Sequence, residues 1–101
     1  MDWDKDMKIY DKVLIFGQEV EVSYSDKVID THNANYIDGK ILIHPKCPQS
    51  ELARVFVHEF LHAVCERVSI SQGVPLETEE IIVDAMSKAL CENFHLRFKN
   101  R

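Results

Sequence analysis

Apolar and polar positions alternate with a period of two along the first half of the chain, which predicts β-strands. Residues 19–24 read Glu-Val-Glu-Val-Ser-Tyr, the pattern of a strand that buries one face. Residues 9–16 form another extended segment, and we predict a turn at residues 17–18 between the two. Further along, Asp38-Gly39 lies between β-prone residues, and this pair favours a tight hairpin because both turn positions need positive φ.

The second half changes to the period of an α-helix. A first helix is predicted at about residues 50–68, because this stretch has neither Gly nor Pro and carries apolar side chains around most of its circumference. Ser50 is its candidate N-cap. A loop with a glycine and a proline follows, and helical spacing resumes at about residues 78–98 with Thr78 as the candidate cap.

This order of elements predicts the α+β class. We expect a short, mostly antiparallel β-sheet packed on two main helices, because segregated strands and helices pack in this way. The chain has 101 residues, without an internal repeat or a Pro/Gly/Ser-rich linker, and residues 1–101 are predicted to form a single domain.

Composition and charge narrow the functional classes. The net charge of -5 disfavours nucleic-acid binding, which selects for basic surfaces. No apolar run approaches the roughly 18 residues of a membrane span, and the first residues show no secretory signal. The three cysteines, an odd number at long spacings, favour a reducing cytoplasm over a disulfide framework. We therefore expect a cytoplasmic protein that binds neither nucleic acid nor a membrane.

The predicted first helix contains an H-E-x-x-H motif, formed by His58, Glu59 and His62. Positions i and i+4 lie on one face of a helix, about 6 Å apart along the axis, so both imidazoles can bind one zinc ion. Glu59 can then act as general base towards a water molecule at the metal. The alternative is a pair of hydrogen-bonded structural histidines, but such polar groups are costly inside an apolar helix unless something satisfies them.

A catalytic zinc site needs a third protein ligand, and the second helix supplies carboxylates for it. The choices are Glu79, Glu80 and Asp84; Glu80 and Asp84 are four residues apart and share a face. Glu79 is the main competitor of Glu80. Cys65, one turn beyond His62, would instead give a closed structural site.

The spacing Glu80-Ile81-Ile82-Val83-Asp84 resembles the E-x-x-x-D pattern of gluzincins. This resemblance implies that Glu80 is the third ligand and that Asp84 accepts a hydrogen bond from a ligand histidine. Residues 8–98 as a whole resemble the small ImmA/IrrE-type metallopeptidase family, including compact phage and prophage versions. The resemblance implies a minimal zincin-like fold and a cytoplasmic zinc peptidase of a bacterial host or phage-infected cell. It also implies that an edge strand above the zinc helix holds the substrate, for which residues 41–44 are the candidate.

The leading hypothesis is a zinc metalloendopeptidase acting on a peptide or protein substrate. Zinc would polarise the scissile carbonyl, and Glu59 would activate water and later protonate the leaving amine. Tyr36, His44 and His95 are candidates for stabilising the oxyanion. The alternative is a non-catalytic, zinc-stabilised module that presents an edge strand to a protein partner.

Overall fold

The computed structural model describes residues 6–9, 11–28, 33–68 and 70–98. Its elements, in chain order, are β1 (Asp6–Ile9), β2 (Lys12–Ile15), β3 (Gln18–Tyr24), β4 (Ala34–Ile37), β5 (Lys40–Ile43), α1 (Leu52–Arg67), α2 (Ile70–Gly73), α3 (Leu76–Asn93) and β6 (His95–Phe98). A 3-10 turn, Gln49–Glu51, leads into α1.

Strands β2, β3, β5 and β4 form a four-stranded sheet in that order. The pairs β2–β3 and β4–β5 are antiparallel, whereas β3–β5 is parallel. A second sheet contains β1 and β6, which are also parallel. The predicted α+β class is confirmed, but the sheet is mixed rather than mostly antiparallel, because β5, the second strand of the β4–β5 hairpin, pairs in parallel with β3.

Two hairpins use backbone with positive φ. Asp38 and Gly39 have φ values of 52° and 75°, which confirms the turn predicted from this pair. The first hairpin turns at Phe16 and Gly17, with φ values of 50° and 81°, one residue earlier than predicted. Gly17 therefore takes the second turn position, and the exposed Phe16 takes the strained first one.

The sheet packs on α1 through one apolar core. Alternate residues of β3, Val20 and Val22, are buried as the period-two pattern predicts. From α1, Leu52 and Phe56 point into the same core, which also contains Ile15, Ala34, Ile41, Ile43, Cys47, Val55, Val57 and Ala63. Helix α3 packs against another side of α1 and buries few residues of its own, among them Val83.

Both predicted helices exist, but their ends differ from the prediction. Helix α1 begins after a 3-10 turn that includes Ser50, and its N-cap is Glu51. Helix α3 begins at Leu76 with Pro75 as N-cap, so Thr78 lies inside it.

The prediction of helix up to residue 98 is wrong for the last five residues. Phe94 is extended, and the segment after it forms β6 by pairing with β1 at the opposite end of the chain. This long-range pairing overrides local helical preference.

Strand β5 lies between β3 and β4, so residues 41–44 are not the edge strand that the resemblance implied. In the described part of the chain, β4 is the outer strand on that side.

The residues next to a two-residue hairpin turn form a hydrogen-bonded pair, and such pairs alternate with non-bonded ones. Tyr36 is one position further from the turn, and its pair with Ile41 is therefore a non-bonded one. Its backbone N–H points away from β5. This N–H faces α1, which packs beside β4.

Within the described ranges, no helix is long and apolar enough to cross a membrane.

Candidate metal centre

Helix α1 brings the two motif histidines onto one face. His58 and His62 are separated by one turn, and their Nε2 atoms lie 3.3 Å apart. Both rings are largely shielded from solvent, with 20% and 15% of their side chains exposed. The two Nε2 atoms face the same point between α1 and α3.

The second turn of α3 supplies a carboxylate at this point. Glu80 Oε1 contacts His62 Nε2 and lies 3.5 Å from His58 Nε2. Among the described residues, these three side chains form the one group of His, Cys, Asp or Glu whose ligand atoms all lie within 4.8 Å of one another. Such a group could hold a metal ion, with Glu80 as the third ligand.

Glu79 occupies a different position from its neighbour. It is 5% exposed, and its Oε2 lies 2.5 Å from His62 Nδ1. With the Nδ1 proton donated to this carboxylate, Nε2 keeps the lone pair that a metal needs. The two glutamates that the sequence left as competitors have different contacts: Glu80 belongs to the group that could hold a metal, and Glu79 contacts Nδ1 of His62.

Asp84 does not make the hydrogen bond that the resemblance implied. Its carboxylate pairs with Lys88 at 3.0 Å, and the carboxylate that accepts a hydrogen bond from a candidate ligand histidine, His62, is Glu79 instead. The Nδ1 atom of His58 is buried and has no hydrogen-bond partner. The two neighbouring glutamates reach different nitrogens of His62: Glu79 contacts Nδ1 and Glu80 contacts Nε2.

Glu59 points from α1 towards the sheet edge. Its Oε1 accepts a hydrogen bond of 2.9 Å from the backbone N–H of Tyr36. Burial raises the pKa of Glu59 to about 7, and the nearby His62 and the Tyr36 N–H oppose this rise. Burial, followed by the charge of His62, lowers the pKa of His58, which favours the neutral imidazole that binds metals.

The cleft around this group has a volume of about 410 Å³. It is lined by Asn35, Tyr36, His58, Glu59, His62, Glu66, Leu76, Glu79 and Glu80. Sequence reasoning missed Glu66, although its position four residues after His62 places it on the same helix face.

The remaining sequence candidates, three for the oxyanion and Cys65 for a closed zinc site, differ in whether they lie at the cleft. Tyr36 lines the cleft, and its hydroxyl donates a hydrogen bond of 2.8 Å to Glu66 Oε1. His44 accepts a local hydrogen bond from the Lys46 backbone N–H, and His95 lies on β6; neither lines the cleft. Cys65 does not join the converging group, and burial raises the pKa of its thiol.

Comparison of the chain with protein-family models, with curated proteins and with solved structures gives no match.

Proposed function

We propose that this protein is a zinc-dependent peptidase of the ImmA/IrrE type with a minimal zincin-like fold. In this proposal His58, His62 and Glu80 bind the metal, and Glu59 is the general base. The substrate is a peptide or protein segment, and the proposed setting is the cytoplasm of a bacterial host or phage-infected cell.

The observation that carries the proposal is the convergence of the three candidate ligand atoms, which all lie within 4.8 Å of one another. Zinc with tetrahedral bonds of about 2.0–2.1 Å holds its ligand atoms roughly 3.3–3.4 Å apart. Two of the three separations match this value, because His58 Nε2 lies 3.3 Å from His62 Nε2 and 3.5 Å from Glu80 Oε1. His62 Nε2 and Glu80 Oε1 are in direct contact, so a zinc ion between them would require these two side chains to separate. Two imidazoles and one carboxylate are also a donor set of catalytic zinc sites, which keep a fourth position open.

A zinc ion held by these residues supplies a Lewis acid that polarises a carbonyl and acidifies water. The remaining chemistry belongs to the protein. Glu59 takes a proton from the attacking water and returns it to the nitrogen of the leaving amine. The Tyr36 N–H holds one Glu59 oxygen, so the carboxylate is oriented before substrate arrives. Glu79 holds the ring of His62 in the required tautomer.

Strand β4 is the element proposed to receive the substrate. As the outer strand beside α1, it can pair with an extended peptide through its outward backbone groups other than the Tyr36 N–H, which Glu59 holds. Such a peptide lies in the cleft between β4 and the metal ligands.

The Glu59→Gln variant tests the proposal. The amide oxygen of Gln can still accept the Tyr36 N–H, but it cannot take a proton, so folding and zinc content are expected to match the wild type. Cleavage of a broad peptide library, followed by mass spectrometry, should fall by about 10² or more. Glu77→Gln removes the same charge from an exposed site on α3 and serves as the control.

Equal cleavage by the wild type and Glu59→Gln would contradict the assignment of the general base. A second candidate function, a zinc-stabilised binding module, is favoured by one observation: the hydrogen bond from Tyr36 gives Glu59 a structural role without catalysis. Stoichiometric zinc together with no cleavage by the wild type would favour this module.

A further inference from the structure

The cleft has a strongly one-sided charge. Its lining residues include four glutamates and neither lysine nor arginine. Three of these glutamates are engaged around the metal ligands: Glu80 in the ligand group, Glu79 with His62, and Glu59 with the Tyr36 N–H. Glu66 is the fourth, and the metal centre does not use it.

Glu66 lies on α1 one turn beyond His62, which places it about 6 Å further along the helix axis. It is exposed to solvent, and its Oε1 accepts the Tyr36 hydroxyl at 2.8 Å. An ionised carboxylate has about four acceptor sites, so this bond leaves capacity for a cationic group. The bond also fixes the carboxylate on the cleft wall, which lowers the entropy cost of binding.

Tyr36 connects this carboxylate to the reacting group. Its backbone N–H holds Glu59 and its hydroxyl holds Glu66, so a single residue of the outer strand positions both. A peptide lying along β4 advances about 3.4 Å per residue. Glu66 lies seven residues after Glu59 on α1, about 10 Å further along the helix axis. A side chain next to the bond at Glu59 therefore needs a long stem to reach Glu66, and lysine and arginine have such stems.

Arg67, the residue after Glu66 on α1, does not fill this end of the cleft. Arg67 interacts with the Tyr36 hydroxyl, but its guanidinium donates a hydrogen bond to Gln18 Oε1 on β3. It is not among the residues that line the cleft. The exposed Glu66 carboxylate is therefore open to a cationic group of a ligand in the cleft.

We propose that Glu66 is a specificity-determining residue that selects peptides with Lys or Arg beside the scissile bond. The position of the cation beside a scissile bond rests on the proposed peptidase function. The preference for a cation rests on the acidic residues that line the cleft. The interaction is a charge-assisted hydrogen bond between the ligand's cation and the Glu66 carboxylate.

Equilibrium binding measures this preference without turnover. The probes are fluorescent peptides that differ only by Lys, Arg, Gln or Glu at one position, titrated against the zinc-loaded Glu59→Gln protein. Lys and Arg peptides are expected to bind about two- to fivefold more tightly than the Gln peptide, and the added substitution Glu66→Gln should remove this difference. Glu66→Gln keeps an acceptor for the Tyr36 hydroxyl, and Glu77→Gln in the same background controls for net charge.

Binding without a cationic preference, a preference that survives Glu66→Gln, or binding by none of the peptides would overturn the inference. Cleavage by the wild-type protein is measured with the same peptides. Cation-selective binding without any cleavage would contradict the proposed hydrolysis and leave the Glu66 assignment standing. Cleavage of all the peptides at the same rate would support the proposed hydrolysis and contradict the role of Glu66.

Discussion

On the side of α1 that faces the sheet, Leu52, Val55 and Phe56 are almost fully buried among apolar neighbours. On the side that faces α3 and β4, His58 and His62 are partly buried among carboxylates. The first side is stabilised by excluding water from hydrocarbon, whereas the second depends on specific partners for each polar atom. One helix therefore contributes to the apolar core, whose loss is expected to unfold the protein, and to the candidate metal site, whose loss is expected to remove metal binding.

The largest effect is expected on the core side. Leu52 is 1% exposed, and Leu52→Ala should lower the free energy of unfolding by about 2–5 kcal/mol, because it removes buried methyl groups and leaves a cavity. Urea unfolding followed by circular dichroism measures this change. A loss below about 1 kcal/mol would break the comparison, since it would mean that the sheet-facing side of α1 does not carry the core.

The next effect concerns the metal. Zinc at about a hundredfold excess over its Kd should raise the free energy of unfolding of the wild type by about 2.7 kcal/mol, because it binds only the folded state. His58→Ala should lose this gain. In metal-free protein the same variant should cost less than about 1 kcal/mol, because it removes a ring whose Nδ1 is buried without a partner. Thermal unfolding with and without a chelator tests both statements.

An equal zinc-induced gain in His58→Ala and the wild type would place the metal elsewhere. Cys65→Ala is the matched control on the same helix, because this thiol lies outside the converging ligand atoms. It should keep the full gain.

The smallest expected effect is a difference in zinc affinity between variants of two carboxylates on α3. Glu79→Gln should weaken zinc binding about 10–100-fold, because the buried carboxylate orients His62. Asp84→Asn should leave the Kd within about twofold of the wild type, because its carboxylate pairs with Lys88 near the surface. Competition with a chromophoric chelator measures both constants. The opposite ranking would restore the role that the gluzincin resemblance gave to Asp84.

Local patterns predicted the parts of this molecule that depend on neighbours in sequence. The alternation at Val20 and Val22, the Asp38-Gly39 turn and the histidine pair on α1 are all of this kind. The roles of Glu79 and Glu80 could not be separated in this way, because they depend on how α3 packs against α1.

Strand β6 was missed although Phe94, Leu96 and Phe98 alternate with polar residues. The alternation is short and follows a long helix, and the partner strand β1 lies at the far end of the chain. Helical spacing up to Asn93 therefore dominated the local pattern. The parallel pairing of β3 with β5 was hidden for the same reason, since nothing near either strand specifies its neighbour.

The hydrogen bond between Glu59 and the Tyr36 N–H has a consequence for the behaviour of the protein at high concentration. An outer strand with unpaired N–H groups is a template for a strand of another molecule, and growth along such edges leads to aggregates. The carboxylate of Glu59 covers one of these groups on β4 and occupies the place that a carbonyl of a second strand would take. The glutamate of the H-E-x-x-H motif thus also helps to keep individual molecules of this protein from joining their sheets.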